Sequence, residues 1–224
     1  RLHQCRHHPG ARRRPRGGRG LNADISRRPG SRLTVMGVDP GLTRCGVGIV
    51  RGGVGTPLEL LGVGVIRTPS DLDHGARLLR IHDGLEEWFD AHHPDAMAVE
   101  RVFAQHNRST VAGTAQAMGL TQMIGARHGV AVGVHTPSEV KAAISGSGRA
   151  DKAQVGLMVA RVLHLEKPPT PADAADALAL AITHIWRGGT QSRIEAAMAV
   201  HQHSPARTWR QRPAPRTRQE HHLR

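Results

Sequence analysis

The chain has 224 residues, of which 38% are hydrophobic, and a formal net charge of +13, which agrees with a small folded domain carrying excess basic residues. The positive charge lies at the two ends: residues 1–33 contain ten Arg and one Asp, residues 187–224 contain eight Arg and two Glu, and residues 34–186 carry a net charge of −2. No apolar segment approaches the roughly 18 residues that span a bilayer, and Cys5 and Cys45 alone make no disulfide framework, so we expect a cytoplasmic protein.

The two ends of the chain are predicted to lack fixed structure. They are rich in Arg, Pro, Gly and His and show no hydrophobic periodicity, which is typical of disordered segments. We therefore divide the chain into a disordered basic leader at 1–32, one domain at 33–187 and a disordered basic tail at 188–224. Two interpretations of the leader stay open: a non-native segment, such as a misassigned upstream reading frame, or a basic arm that adds salt-sensitive affinity for DNA.

The domain opens with three predicted strands. Apolar runs at about 33–39, 44–51 and 58–66 are joined by short Gly-rich connections, which favours an antiparallel meander. The first run ends in Asp39, which Pro40 and Gly41 follow as a turn signal. Asp39 is therefore predicted at the C-terminal end of a buried strand.

Helices and strands alternate in the rest of the domain. A helix at about 71–91 is expected to turn five apolar residues inward: Leu72, Leu78, Leu79, Leu85 and Trp88. A strand ending at Glu100 comes next. The later elements are a helix at 109–128, a short strand at 130–134, and helices near 137–145, 151–165 and 171–186. This order predicts an α/β fold with one mixed sheet.

Two carboxylates at strand ends are candidates for one shared pocket. Asp39 and Glu100 each close a short apolar run. In open α/β sheets, ligands bind beyond the carboxyl ends of parallel strands. Both carboxylates face one crevice if their strands are neighbours, a relation that periodicity by itself does not establish.

The last predicted helix carries two more acids in an apolar body. Thr170 is predicted as its N-cap and Pro171 as its first residue. A spacing of three places Asp173 and Asp176 on one face of that helix. Asp173 is either a metal ligand or the acidic partner of Thr170 in a capping box. Asp176 lies beyond the first turn, so capping does not explain it.

The four carboxylates together indicate metal-dependent phosphodiester chemistry, although each one alone is more often a cap or a solvated charge. Magnesium prefers oxygen ligands and usually engages a few carboxylates together with water and phosphate. Two such ions about 4 Å apart can activate water on one side of a phosphodiester and stabilise the leaving oxygen on the other. The set Asp39, Glu100, Asp173 and Asp176 therefore predicts a nuclease centre.

Five segments resemble, in order and spacing, the RuvC family of Holliday junction resolvases. They are Met36–Gly46, Val99–Phe103, Pro137–Lys141, Gly148–Val155 and Ala172–Ala179. The resemblance covers the chain from about Leu33 to Trp186, is of the actinobacterial type, and includes all four acids. It implies a ribonuclease-H-like fold, with a mixed five-stranded sheet flanked by helices.

The resemblance also implies the activity and the partners. Family members nick two strands of like polarity symmetrically in a Holliday junction during recombination and DNA repair, which leaves 5′-phosphate and 3′-hydroxyl ends. The catalytic residues would be Asp39, Glu100, Asp173 and Asp176, holding two Mg²⁺ ions, with Mn²⁺ as a substitute. The implied partners are four-way junction DNA, a second copy of the chain as a homodimer, and the RuvA–RuvB branch-migration complex. The helix at 109–128, rich in small residues, packs either within the chain or, by resemblance, across a two-fold dimer contact.

Four further residues are predicted to contact DNA. Lys141, Arg149 and Lys152 lie near helix starts, where a basic residue is usually only a solvated charge. The resemblance places Lys141 and Lys152 toward the substrate. Phe103, three residues beyond Glu100, is either a core residue or, as the resemblance implies, a residue that stacks on an unpaired base near the crossover.

Three other functions stay open from the residues. The turn after Asp39 also resembles the phosphate-binding turn of actin-like ATPases and sugar kinases, but the domain at 33–187 is too short for their two lobes. A related ribonuclease-H-like nuclease that processes ribosomal RNA precursors has a similar opening motif, although the segments around Phe103, Lys141 and Lys152 favour the junction resolvase. A catalytically silent junction-binding protein is disfavoured because all four acids are present.

Overall fold

The computed structural model describes residues 32–102 and 108–202, with the backbone alone at 108–110 and 188–202. Phe103 lies outside the described residues. Within them the strands are β1 Leu33–Asp39, β2 Arg44–Gly52, β3 Glu59–Arg67, β4 Ala96–Glu100 and β5 Ala131–His135. The helices are α1 His74–His92, α2 Arg108–His128, α3 Pro137–Ser145, α4 Lys152–Val162 and α5 Ala172–Gln202.

The five strands form one mixed sheet in the order β3-β2-β1-β4-β5. Strands β1, β2 and β3 make an antiparallel meander, whereas β4 runs parallel to both β1 and β5. The predicted mixed sheet and its opening meander are confirmed. Because β1 and β4 are parallel neighbours, with Val38 opposite Val99, Asp39 and Glu100 end side by side at one edge of the sheet.

Alternation of side chains along the strands gives the sheet two different faces. One face presents large side chains, such as those of Met36 and Ile49, to α1 and α2. The other presents Gly37, Gly48 and small residues such as Ala98 to α5. We refer to these as the α1–α2 face and the α5 face.

Glycines allow α5 to lie directly on the sheet. A Cβ atom at Gly37 would overlap the carbonyl oxygen of Ala177, and one at Gly48 would lie 2.8 Å from the backbone nitrogen of Leu178. Real Cβ atoms do not make such contacts with backbone. The helix therefore approaches β1 and β2 more closely than any side chain would permit, which is the close approach that favours glycine.

The first helix begins later than the sequence predicts, and different residues of it face the core. It starts at His74 rather than near residue 71, because the side chain of Asp73 caps its first turn. Leu72 and Leu79 are wrong as inward residues, since they are 37% and 60% exposed. The residues buried on this helix, at a spacing of four, are Ile81, Leu85 and Phe89. Leu79 lies two positions before Ile81, about 200° around the helix, and so points outward. Of the other predicted residues, Leu85 is buried, and Leu78 and Trp88 are half-buried.

The last helix extends beyond its predicted end near Trp186. It begins at Ala172, one residue after the predicted start, and continues to Gln202. Residues 190–202 contain no proline and are rich in helix-forming residues, which outweighs the unfavourable pair Gly188 and Gly189. The backbone at 188–202, which the sequence analysis assigned to a disordered tail, is therefore helical.

Cys45 of β2 is fully buried in the core of the α1–α2 face, where it packs as a small apolar residue. Burial raises the pKa of its thiol to about 12, so the thiol stays protonated and unreactive. None of the helices in the described ranges is long and apolar enough to cross a membrane.

Candidate active site

Two of the four candidate acids lie at adjacent strand ends. Asp39 is the last residue of β1 and Glu100 is the last residue of β4. Each is an even number of positions from a small residue, Gly37 or Ala98, so both acids lie on the α5 face. Burial, followed by the charges of Asp176 and Glu100, raises the pKa of Asp39 to about 7. Burial and then the charge of Asp176 also raise the pKa of Glu100.

The N-terminal end of α5 supplies the other two acids. Gly46 pairs with Asp39 in the sheet. A Cβ atom at Gly46 would overlap the carbonyl oxygen of Asp173 and lie 3.3 Å from the Cβ atom of Asp39. The first turn of α5 is therefore directly above the end of β1. One turn further along, Asp176 accepts a hydrogen bond of 2.8 Å from the ammonium group of Lys152.

Two lysines reach the acids from capped helices. Helix α3 begins with a capping box at Thr136, and its second turn carries Lys141. The charge of Lys141 opposes the rise in the pKa of Glu100. Lys152 is the first residue of α4, and its hydrogen bond with Asp176 is the main cause that raises the pKa of Lys152. Lys152 therefore stays charged beside carboxylates that repel one another.

Three of the acids and both lysines line one cleft of about 210 Å³. The acids are Asp39, Glu100 and Asp176, and the apolar part of the wall comes from α3, α4 and α5. Among the described residues, clefts of about 660 and 790 Å³ lie farther away, between α1 and β3 and beside α4. Neither of them brings three carboxylates together, so the chemistry favours the smaller cleft.

The fourth acid, Asp173, lines a neighbouring cleft together with Arg44. The Nε atom of Arg44 lies 2.9 Å from Oδ2 of Asp173. This ion-pair contact lacks hydrogen-bond geometry, and Oδ2 is buried without a hydrogen bond. Asp173 therefore pairs with Arg44, and no described hydrogen bond joins it to the predicted cap Thr170.

The donor set fits a divalent cation. All four candidates offer carboxylate oxygens, which hard cations prefer. Burial, and then the charges of neighbouring acids, raise the pKa values of Asp39 and Glu100 despite the opposing charge of Lys152, so ionised carboxylates are unfavourable in this cleft. The buried Oδ2 atom of Asp173 is an acceptor without a hydrogen-bonded donor. A cation among these oxygens would satisfy both conditions.

Another group of possible ligands lies on the opposite side of the sheet. Glu86, Asp90 and His128 bring one ligand atom each within 4.8 Å of the others, on the surface of α1 and α2. Glu86 is already engaged there, because His128 Nε2 lies 2.7 Å from Oε2 and Arg127 Nη1 lies 3.5 Å from Oε1. This group is separate from the four candidate acids.

Of the other two residues predicted to contact DNA, the structure describes only Arg149. Arg149 is exposed in the turn between α3 and α4, and it lines neither of the clefts that contain the acids. Phe103 lies outside the described residues. The sequence analysis missed Arg44, although it stands five residues after Asp39, because an arginine after a turn is usually only a solvated charge.

Comparison with known proteins gives concordant matches. A model of the family described as "Crossover junction endodeoxyribonuclease RuvC" matches residues 35–184. The protein of that name from Cutibacterium acnes is 75% identical over 173 residues, which cover 77% of this chain and 88% of that protein. The one from Streptomyces avermitilis is 61% identical over 169 residues, which cover 75% of this chain and 96% of that protein.

The fold of the chain also matches solved structures. Thermus thermophilus RuvC in complex with a Holliday junction substrate matches with a TM-score of 0.68 and 33% identity, over 71% of this chain and 97% of that one. The yeast mitochondrial Holliday junction resolvase matches with a TM-score of 0.51 and 10% identity, over 75% of this chain and 85% of that one, which is a likeness of fold alone. The predicted fold class is thereby confirmed.

Proposed function

The chain belongs to the RuvC family of crossover junction endodeoxyribonucleases, and we propose that it resolves Holliday junctions with Asp39, Glu100, Asp173 and Asp176. It is an endonuclease with a ribonuclease-H-like fold. One observation carries the assignment of the residues: the ends of β1 and β4 meet the first turns of α5, where burial and then the charges of Asp176 and Glu100 raise the pKa of Asp39 to about 7. Acids that only cap helices or face solvent would not raise one another's pKa in this way.

The four acids would hold two Mg²⁺ ions, for which Mn²⁺ could substitute. Bound there, the cations would lower the pKa of the attacking water and neutralise charge on the phosphate. The support for this proposal is the all-carboxylate donor set and the buried Oδ2 atom of Asp173, which has no hydrogen bond. Among the described residues that line this cleft there is no histidine or cysteine, the ligands that favour zinc.

The residues of the chain bind and orient the scissile phosphodiester. Lys141 and Lys152 line the same cleft as the acids, so their ammonium groups can bind the non-bridging oxygens of the phosphate. The hydrogen bond from Lys152 fixes the carboxylate of Asp176. In the reaction, the oxygen of water bonds to phosphorus and the bond from phosphorus to the 3′ oxygen breaks. The 3′ oxygen takes up a proton, which leaves a 5′-phosphate and a 3′-hydroxyl.

A homodimer and the other expected partners are proposed on the same basis. A homodimer would place two active sites on a two-fold symmetric junction. Helix α2 offers a surface for that contact, because Met123 is 47% exposed and no described atom outside the helix's own backbone lies within 4 Å of a Cβ atom placed at Gly119. Action beside RuvA–RuvB, a cytoplasmic location, base stacking by Phe103 and phosphate contact by Arg149 are further proposals that follow from the family.

Cleavage assays of Glu100→Gln and a matched control, Glu87→Gln, test the proposed function. Glu87 is an exposed acid on α1, outside the catalytic cleft. Each protein is incubated with a labelled mobile four-way junction, a linear duplex and a structured RNA, with Mg²⁺ or with a chelator. We expect the parent and Glu87→Gln to cut only the junction and only with Mg²⁺. Glu100→Gln should lose cleavage by roughly 100-fold or more while still binding the junction.

Two outcomes would contradict the proposal. Cleavage of RNA in preference to the junction would support the ribosomal RNA alternative. Junction binding by the parent without any cleavage would identify a silent junction-binding protein.

A further inference from the structure

A second cleft lies beside the candidate active site, and its charged lining is mainly basic. It has a volume of about 390 Å³ and is lined by the turn 41–44, Arg77 of α1, the start of α2, and Asp173. Asp173 borders both sites, since its charge also acts on Asp39. Two guanidinium groups, those of Arg44 and Arg77, face one carboxylate here, so the cleft carries net positive charge next to an acidic centre.

Two hydroxyl groups, rather than a carboxylate, hold Arg77 in place. Its Nε atom donates to Oγ1 of Thr68 at 3.0 Å, and its Nη2 atom donates to Oγ1 of Thr43 at 2.8 Å. Thr68 is buried, and its hydroxyl donates its proton to the carbonyl oxygen of Leu42. Toward Arg77 the hydroxyl oxygen can therefore act only as an acceptor. Within the described residues Arg77 makes no ion pair. Its charge is therefore positioned without being neutralised.

Arg44 adds a second cation to the same cleft. Its side chain is 50% exposed, and its Nε atom lies 2.9 Å from Oδ2 of Asp173. Within the described ranges its side chain has no other ion-pair or hydrogen-bond partner than Asp173. The two terminal nitrogens of Arg44 present the forked edge that matches two phosphate oxygens. The hydroxyl of Thr43 accepts from Arg77 and keeps its own proton for a ligand.

Close packing fixes the turn that carries these groups. A Cβ atom at Gly41 would overlap the carbonyl oxygen of Arg44, so this turn requires glycine. A Cβ atom at Gly113 of α2 would lie 3.0 Å from Cβ of Leu42, which shows how tightly α2 abuts the turn. The backbone of Thr68 also donates to the carbonyl of residue 43 at 3.1 Å. Donors on a fixed frame bind an anion without the cost of ordering them.

We infer that Arg77 and Arg44, with the hydroxyl of Thr43, bind a DNA phosphate next to the scissile one on the strand that is cut. This inference rests on the proposed function, because the ligand belongs to the strand that the four acids cleave. A strand lying across the catalytic cleft carries phosphates on both sides of the scissile position. The basic cleft borders that centre at Asp173, so it lies where one of those neighbouring phosphates would be.

The test combines Arg77→Gln with junctions in which one phosphate flanking the scissile position is replaced by a neutral methylphosphonate. At one flanking position the replacement should slow cleavage by the parent roughly tenfold. Arg77→Gln should slow cleavage of the unmodified junction by a similar factor. Cleavage of the modified junction by Arg77→Gln should be no slower than with either change alone, because the two changes remove the same contact. The slope of log binding constant against log salt should also fall by about 1 in Arg77→Gln.

Arg51→Gln is the matched control. Arg51 also donates through Nε to a threonine hydroxyl, Oγ1 of Thr34 at 3.2 Å, but at the opposite end of β2 from Arg44. This variant should keep the parent's rate and its sensitivity to the methylphosphonate. Additive losses with Arg77→Gln would overturn the subsite. If Arg77→Gln melts well below the parent, the same comparison with Arg44→Gln decides the question.

The proposed function and the subsite fail in different ways. If the parent does not cut an unmodified junction with Mg²⁺, both are overturned. If the parent cuts the junction and no flanking methylphosphonate slows it, the subsite alone is overturned.

Discussion

The two faces of the sheet are packed in opposite ways. On the α1–α2 face, large side chains such as those of Met36, Ile81 and Phe89 fill the space between sheet and helices. On the α5 face, Gly37 and Gly48 leave out the side chain, so the helix backbone touches the strands. The first arrangement buries much apolar area but separates helix from strand by the length of a side chain. The second also buries large apolar side chains, such as those of Leu178 and Ile182, but its glycines let the start of α5 bring two helix carboxylates against two strand carboxylates.

The α5 face therefore holds charges together that would otherwise separate. Two carboxylates about 5 Å apart repel by roughly 3 kcal/mol at an effective dielectric constant near 20. The pKa of Asp39 is raised to about 7 by burial and, after it, by this repulsion. Packing on both faces must supply the free energy that keeps the acids close when no cation is bound.

The largest effect is expected from Gly37→Ala, which prevents the close approach of α5 to β1. The added methyl group would overlap the carbonyl oxygen of Ala177 and lie 2.8 Å from the nitrogen of Ala181, and neither backbone atom can move alone. We expect a loss of about 3 kcal/mol or more in the free energy of unfolding, and loss of junction cleavage. Urea unfolding and a cleavage assay measure the two effects.

Gly156→Ala in α4 is the control for Gly37→Ala. The nearest atom to a Cβ at Gly156 is Cβ of Pro168 at 3.7 Å, an ordinary contact. This variant should be neutral or gain up to roughly 1 kcal/mol, because alanine favours the helix. Equal stability of the two variants would show that α5 is not held as closely to the sheet as described.

Ile81→Ala tests the α1–α2 face. Ile81 is fully buried, so the variant should lose about 2–5 kcal/mol of stability through lost burial and a residual cavity. The molecules that remain folded should keep junction cleavage, because this face holds none of the four acids. Leu79→Ala, at a position that is 60% exposed on the same helix, should change stability by less than roughly 0.5 kcal/mol. Similar losses for both variants, in thermal unfolding, would contradict the observed phase of α1.

Asp39→Asn tests how ionisation of Asp39, on the α5 face, changes the stability of the protein. A folded-state pKa of about 7, against a usual value of 3.8, means that the native state keeps a proton that the unfolded chain releases. The metal-free parent therefore loses stability as pH rises through that range, and the variant does not. The pKa values of His135 and His184 are lowered by burial, which acts in the opposite direction below pH 6.5 in both proteins. The difference between parent and variant isolates Asp39.

Between pH 5 and pH 8, that difference should shift by about 2–4 kcal/mol in favour of Asp39→Asn. Urea unfolding with a chelator at both pH values measures it. Mg²⁺ at pH 8 should stabilise the parent more than the variant, because it binds the ionised native site. A difference that does not vary with pH would exclude Asp39 as the titrating group.

The smallest effect is expected from Thr136→Ala, at the start of the helix that carries Lys141. Thr136 accepts a hydrogen bond from the backbone of Glu139 at 3.2 Å, and the carboxylate of Glu139 accepts one from the backbone of Thr136 at 2.8 Å. Removing the cap should cost about 1 kcal/mol. Ser138→Ala, in the same helical turn but outside the cap, is the control and should have little effect on the melting temperature. A loss in both variants would point to packing rather than capping.

Local sequence signals predicted the order of the strands and helices and identified the four candidate acids. The bounds of β1 are predicted to the residue, because an apolar run before Pro40 and Gly41 reports only on neighbouring positions. Strand alternation likewise places Gly37 and Asp39 on one face. The phase of α1 and the extent of α5 were harder to predict, because periodicity leaves several apolar stripes open and glycine is only a weak helix breaker in a long helix.

Tertiary structure decided which of these residues meet. The pairing of β1 with β4, which brings Asp39 beside Glu100, joins segments about sixty residues apart, and no local pattern encodes such a pairing. The raised pKa of Asp39 depends on burial and on charges from three other elements. The contact of Arg44 with Asp173 and the support of Arg77 by two threonines also arise only when β2, α1 and α5 are packed together. The sequence thus determined the chemical groups and their faces, and the fold determined their distances, because electrostatic interactions depend on separation in space rather than along the chain.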